Sequence, residues 1–382
     1  MLKFCLAGEY PADVNKIGGG VLHVMFMLTE VFADRRDIDF HVVTPAKGLE
    51  SDKVVEKPGV TIHYVSSHKH RLMPNLLTQG KRIASVLQDL KPDIVNSHHC
   101  VTTNAAIRAG CTVVHTVHGV AHKEIPYMHG RGRFSQILHA DLERRAVAKA
   151  DAVISVSQYG FDCYEPNIKG PRYLMSVLVE DIFWDIKPLD NCKSIVFAGG
   201  IGRRKNPMVL VKAMANVVDR HQDAKLYVCG NVVERAYMND IENFIKSNNL
   251  QNAIQFLGVV DRYKLAELLG KSVALVLLSR QESSPGVICQ AMAAGRIPIA
   301  SPVGGVPELI DDGVTGFLVS PDDSDTLATR LIALFDDPDK AKQMGESAKE
   351  VALSRHDSHM VADSILEICK SVLNKSDSKI LA

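Results

Sequence analysis

No apolar run in the chain is long enough to cross a bilayer, and no signal-peptide pattern follows Met1. Both absences lead us to expect a cytoplasmic protein. The eight Cys are dispersed, with no C-x-x-C pair and no zinc spacing, so they read as reduced thiols. Net charge is missing too. The chain has 44 Lys and Arg against 44 Asp and Glu, which gives no reason to expect nucleic acid or another polyanion as partner. There is no G-x-G-x-x-G with an acidic residue after the next strand, which argues against an NAD-dependent oxidoreductase. What remains is an ordinary globular composition, 46% apolar and 23% charged, over 382 residues. That length has room for two domains of usual size.

The two halves open alike. In the first, the apolar run Leu2 to Ala7 precedes a loop ending in Gly18-Gly19-Gly20, a helical pattern over Val21 to Ala33 and a strand from Phe40 to Thr44. In the second, Ser194 to Ala198 precedes Gly199-Gly200-Ile201-Gly202-Arg203-Arg204-Lys205-Asn206 and the helix Pro207 to Asp219. Strand, glycine loop, helix is the start of a doubly wound α/β domain. A glycine turn is common punctuation, but three cations beside the second one favour phosphate there. Further strands are expected at Val60 to Val65, Lys91 to Ser97, Cys111 to Val117 and Ala150 to Ser157. His118 falls at the end of one of them, on the edge that lines the ligand crevice of an open α/β sheet. A zinc site from His98, His118 and His122 is an alternative whose geometry no spacing fixes. The basic run His68-Lys69-His70-Arg71 reads as a solvated face, with anionic lipid or a phosphorylated acceptor as its alternative. The tail after Asn374 is polar and reads as frayed.

The most informative stretch is Ser279 to Ile310. A polar loop carrying Glu282, Ser283 and Ser284 follows the apolar run Val273 to Leu278. Pro285 and Gly286 then open a short apolar helix that Gly295 ends. Unpaired N–H groups at a helix start sit at the positive end of the macrodipole and suit a phosphate. Glu282 would repel phosphate, so it is read as an acceptor for the hydroxyls of a polyol. Gln290, eight residues on, lies on roughly the face of the helix start. Phosphate donors flanked by hydroxyl acceptors describe a sugar-nucleotide pocket.

This stretch resembles the signature of retaining GT-B glycosyltransferases of family 4. Glu282 fits the first acid, and Ala291, Ala293, Gly295, Pro298, Gly304, Gly305 and Glu308 fit the residues after it. Gln290 stands where the family usually has a second Glu. Lys205 matches the family's phosphate Lys, while Gly200 stands where an Arg clamps the leaving diphosphate; Arg203 and Arg204 are the substitutes at hand. His118-Gly119 matches the family His that approaches the donor sugar.

The resemblance implies two Rossmann-like domains facing across a cleft. We expect them at 1–186, joined by a C-terminal helix over 360–382, and at 187–359. It also implies transfer of a sugar from a nucleotide-diphosphate sugar of UDP or GDP type to a hydroxyl acceptor, with retention and without a metal or other cofactor. The acceptor would be a glycan, a lipid-linked group or a small molecule, with peripheral membrane contact as an option. Glu282, His118 and Lys205 are the expected catalytic groups. Gly18, Gly19, Gly20, Gly200, Arg203, Arg204, Ser283, Ser284, Gly286, Val287 and Gln290 are the expected donor-binding residues. A non-catalytic nucleotide-sugar-binding homologue and a sugar-nucleotide epimerase of the same fold are the alternatives.

Overall fold

The structure, a computed structural model, describes residues 1–11, 19–67, 75–128, 130–189 and 191–380. Gly18 and the basic run from His68 to Arg71 lie outside them. The chain divides into two compact units. Unit 1 is Met1–Leu178 with Ser358–Ala382, and unit 2 is Val179–Asp357.

Unit 1 is built on the strands β1 (Leu2–Ala7), β2 (Ile38–Lys47), β3 (Lys53–Lys57), β4 (Val60–Ser67), β5 (Ile94–Ser97), β6 (Val113–Val117), β7 (Ala152–Ser155) and β8 (Arg172–Leu174). Their spatial order is β3-β4-β2-β1-β5-β6-β7-β8, parallel except for β3 on β4. Side chains alternate across β1, and both faces are covered. Phe4 and Leu6 pack beneath the helices Gly20–Ala33 and Ser358–Ile380. Cys5 and Ala7 pack beneath Asn75–Leu90 and Cys100–Ala109. Phe4, Phe32 and Phe40 form an aromatic cluster with centroids 5.0 to 5.9 Å apart. The last helix runs to Ile380. The tail read as frayed therefore continues a helix whose apolar stripe, Val361, Ala362, Ile365, Leu366, Cys369 and Val372, is part of this core.

Unit 2 carries β9 (Ser194–Ala198), β10 (Lys225–Cys229), β11 (Ile254–Gly258), β12 (Ala274–Leu277), β13 (Ile297–Ala300) and β14 (Phe317–Leu318). The order is β11-β10-β9-β12-β13-β14, and every pair is parallel. β12 and β13 are buried at every position, as unbroken apolar runs in a doubly covered sheet should be.

In both sheets the direction of winding reverses once, at β1/β5 and at β9/β12. Loops leaving the C-terminal ends of such a pair diverge to opposite faces and open a crevice, where ligands bind in this class of sheet.

Candidate functional site

At the β9/β12 reversal, the loop after β9 holds Lys205 and the loop after β12 holds Glu282. Asn206 positions the first. Its backbone is left-handed, with φ 53°. Its Nδ2 donates to the carbonyls of Leu278, 3.2 Å, and Pro321, 2.6 Å, and its Oδ1 accepts from the Tyr237 hydroxyl at 3.2 Å. The Arg280 amide donates to the Arg204 carbonyl at 2.8 Å, which ties the two loops together. A Cβ at Gly230, φ 143°, would lie 1.9 Å from the Gly199 carbonyl oxygen, so only glycine lets these turns touch.

Lys205 lays its stem over Gly199 and its Nζ donates to Glu282 Oε1. Glu282 is 5% exposed. Arg204 Nη1 lies 4.0 Å from Glu282 Oε2 and donates to the Gln281 carbonyl and Oε1, both at 3.4 Å. Arg203 is directed elsewhere. Its backbone N–H donates to Glu234 Oε1 at 2.8 Å, and its guanidinium lies 3.4 Å from Glu234 and 5.5 Å from the Tyr237 ring centroid. A Cβ at Gly200 would meet Val233 Cγ2 at 2.8 Å, so Val233 takes the space a side chain there would need.

The loop after β12 carries three buried polar atoms that lack a partner among the described residues: Ser279 Oγ, Gln281 Nε2 and Ser284 Oγ. Orphaned polar groups of this kind lose free energy unless a ligand meets them. Ser283 is buried beside them. Next comes the helix Gly286–Ala293. Its N-cap, Pro285, supplies no side-chain cap, so the first N–H groups, those of Gly286 and Val287, are left for an acceptor from outside the helix. Gln290, one turn on, is part-buried on this helix. The arrangement combines an anion-binding helix start, a cation and a carboxylate, the three features needed to hold a phosphate next to a hydroxylated ring.

Unit 1 has its own cluster at the strand ends. Gly19, φ 102°, begins the helix Gly20–Ala33, and a Cβ at Gly19 or Gly20 would meet open space. His98 follows β5 and His118 follows β6. Their rings meet edge to edge, with planes 28° apart and centroids 4.9 Å apart, and His98 Nδ1 lies 2.7 Å from His118 Nε2. On the far side, His98 Nε2 lies 2.7 Å from Asn96 Oδ1. Burial holds His98 well below the usual histidine range and lowers His118 to about 4, so both rings are neutral at pH 7. His122 does not join them; its ring sits edge-on against Tyr164. A different group, His99, Cys100 and His139, gathers its ligand atoms within 4.8 Å. However, His99 Nδ1 accepts the Val101 N–H as a helix cap at 3.2 Å, which leaves the ring proton on Nε2. Burial also raises the Cys100 thiol far above the usual range.

Beneath the turn after His118, Glu143 accepts from the Tyr164 hydroxyl and from the Ala121 N–H at 3.1 Å. Burial pushes its carboxyl up to about 7. Glu143, Asn96, Asn206 and Gln281 were not singled out from the sequence. An Asn directly after Lys205 and a Gln directly before Glu282 were adjacent signals that could have found two of them.

Comparison with known proteins gives matches along most of the chain. A family model described as Glycosyl transferases group 1 matches residues 179–351, and one described as Glycosyltransferase Family 4 matches residues 18–165. The chain is 25% identical over 357 residues to N-acetyl-alpha-D-glucosaminyl L-malate synthase of Bacillus anthracis, covering 88% of this chain and 90% of that protein. It is 27% identical over 362 residues to D-inositol 3-phosphate glycosyltransferase of an Arthrobacter species, covering 87% and 85%. Among solved structures it is similar to sucrose-phosphate synthase from Thermosynechococcus elongatus, with TM-score 0.81 at 18% identity over 98% of this chain and 100% of that one. It is also similar to HepE of Anabaena in complex with UDP and glucose, with TM-score 0.76 at 19% identity over 97% and 100%.

Proposed function

We propose a reaction for a chain that belongs to the GT-B glycosyltransferases of family 4: transfer of a sugar from a nucleotide-diphosphate sugar to a hydroxyl, with retention at the anomeric carbon and without a metal. The observation that carries it is the Lys205–Glu282 pair at the β9/β12 reversal, beside the uncapped helix start at Gly286. In this reading Lys205, Arg204 and the N–H groups of Gly286 and Val287 hold the diphosphate. They supply the positive charge that a divalent ion would otherwise bring to the leaving group. Glu282 accepts from donor-sugar hydroxyls, Gln290 bonds the ribose, and His118 accepts from a sugar hydroxyl. Ser283 and Ser284 shape the phosphate loop.

The bond from the anomeric carbon to the diphosphate oxygen breaks as the acceptor oxygen bonds that carbon on the same face. The acceptor proton passes to the departing diphosphate oxygen. The HepE complex contains UDP, and UDP is the nucleotide we assign to the donor. The relatives are named for malate and inositol 3-phosphate, both of which carry free hydroxyls, and we assign a small polyhydroxylated or hydroxy-acid acceptor.

Thermal unfolding with UDP, GDP and ADP, each with and without EDTA, tests the donor side. A ligand at about 100 times its dissociation constant adds about 2.7 kcal/mol to stability. Stabilisation by UDP that EDTA leaves intact is the expected result, and no response to any nucleoside diphosphate removes the reading. A second reading, a non-catalytic nucleotide-sugar binder, is favoured by Gly200 and the Val233 side chain beside it. Donor binding without turnover would identify it.

A further inference from the structure

With both rings neutral, the distances around His98 fix the tautomer of His118. Asn96, in the middle of unit 1, lies on β5 opposite Val114 of β6 and is fully buried. Its Nδ2 lies 3.3 Å from the Val114 carbonyl oxygen and 3.0 Å from Thr116 Oγ1. A carbonyl only accepts, which fixes which way the amide is turned. Asn96 Oδ1 therefore faces His98 Nε2, at 2.7 Å. An amide oxygen also only accepts, so His98 Nε2 must carry the proton. The neutral ring then has a bare Nδ1. That bare nitrogen lies 2.7 Å from His118 Nε2, so His118 must donate through Nε2. His118, neutral in turn, is left with a bare Nδ1, which no group among the described residues bonds.

We propose that Asn96 is a positioning residue: through His98 it holds His118 in the one tautomer whose bare Nδ1 accepts a hydrogen bond from a substrate hydroxyl. The proposal rests on the transferase reading only in naming the hydroxyl. The chain of three groups has one self-consistent proton arrangement, set at its buried end by a backbone carbonyl. A lone pair at Nδ1 welcomes an O–H and repels a phosphate oxygen, which has no proton to give. The relay therefore tells the alcohol end of a sugar nucleotide from its phosphate end. A His118 free to flip its tautomer would accept either. Neighbouring His115 takes no part in the relay, since its Nδ1 pairs with Thr103 Oγ1 at 2.7 Å.

Selective 15N-histidine labelling with a long-range proton–nitrogen correlation reads the tautomer in the free protein. Spectra of His98→Gln and His118→Gln give the assignments. The wild type is expected to show a protonated Nε2 at both His98 and His118. Asn96→Leu removes the fixed acceptor; His118 is then expected to populate both tautomers, and kcat to fall about tenfold, equivalent to about 1.4 kcal/mol in the barrier, with KM for the donor little changed. Asn96→Asp keeps an acceptor toward His98 but loses the donor to Val114, so it is expected to restore the single tautomer and most of kcat. A protonated Nδ1 at His118 in the wild type overturns the proposal. So does an Asn96→Asp protein as slow as Asn96→Leu, because Asn96 would then act only by joining β5 to β6. If Asn96→Leu does not fold, the wild-type spectrum and Asn96→Asp decide. If the wild type transfers no sugar at all, the transferase reading fails, and the spectrum still decides the tautomer.

Discussion

Lys205 Nζ is hydrogen-bonded to Glu282 Oε1 across 77 residues of sequence, and the two side chains are only 18% and 7% exposed. Each is the other's counter-charge. On the proposed reading, a diphosphate drawn to Lys205 would compete with Glu282, and a sugar hydroxyl given to Glu282 would loosen its hold on Lys205. The two binding events would then assist one another, so a whole sugar nucleotide should open the pair better than either fragment.

Glu282→Ala and Lys205→Ala are each expected to lower kcat/KM by at least about a hundredfold, the scale of losing a positioned charge in an active site. The double variant should be little worse than either single, because the groups act as a unit. Losses that multiply in steady-state assays would show two independent sites. Lys205→Ala should also lose about 1–3 kcal/mol of stability, since it leaves a buried carboxylate short of its partner.

Gly200→Arg installs the residue that the family resemblance implies there, but its Cβ would lie 2.8 Å from Val233 Cγ2. The single substitution is therefore expected to lower the melting temperature of unit 2 without raising turnover. Gly200→Arg with Val233→Ala should fit and turn over at least as fast as wild type. A single variant that is both stable and faster would contradict the role given to Val233.

Gln290→Glu replaces an amide with a stronger acceptor for ribose hydroxyls. Donor KM is expected to fall about tenfold with kcat held, a change worth about 1.4 kcal/mol. An unchanged KM in initial-rate measurements would place Gln290 away from the ribose.

Glu143 supplies a pH dependence of definite sign. Its carboxyl titrates near 7 in the fold against an ordinary 4.5. Between those values the native state holds a proton that the unfolded chain has released, so stability falls as pH rises. The loss amounts to about 3 kcal/mol by pH 8 and is absent below about 4.5. Glu143→Gln should escape it. The melting temperature of the variant minus that of wild type is expected to climb by several degrees from pH 5 to pH 8. A difference that stays flat with pH would show that the carboxylate is not strained by burial.

Sequence and structure agree best where one face of the chain decides the element. Ser194–Ala198 was expected to the residue, because a strand buried on both faces is a run of apolar residues with sharp ends. β3 and β8 gave no such signal: their exposed residues lie along the edges of the sheet, where burial does not shape the sequence. The helix Arg235–Ser247, with a buried stripe of Tyr237, Met238, Ile241 and Ile245, was also passed over. At the site, the Lys205 and Glu282 loops were legible as motifs. Their mutual pairing was not, because it depends on β9 and β12 being neighbours. Asn96 and Asn206 were hidden for the same reason: the carbonyls they bond belong to other strands and loops. Arg203 shows the opposite failure. Proximity in sequence suggested a phosphate ligand, yet its guanidinium lies against Glu234 and Tyr237.

The helix Ser358–Ile380 packs into the core of unit 1 from the far end of the chain. During synthesis the ribosome delivers β1 first and the helix that covers it last. Unit 2, later to begin, is complete at Asp357, before unit 1 can close. Until then the face around Phe4, Met25 and Leu28 lacks its cover. A nascent chain stalled before residue 358 should therefore hold one finished domain and one sticky half-domain, and it is the earlier-made half that would call on a chaperone.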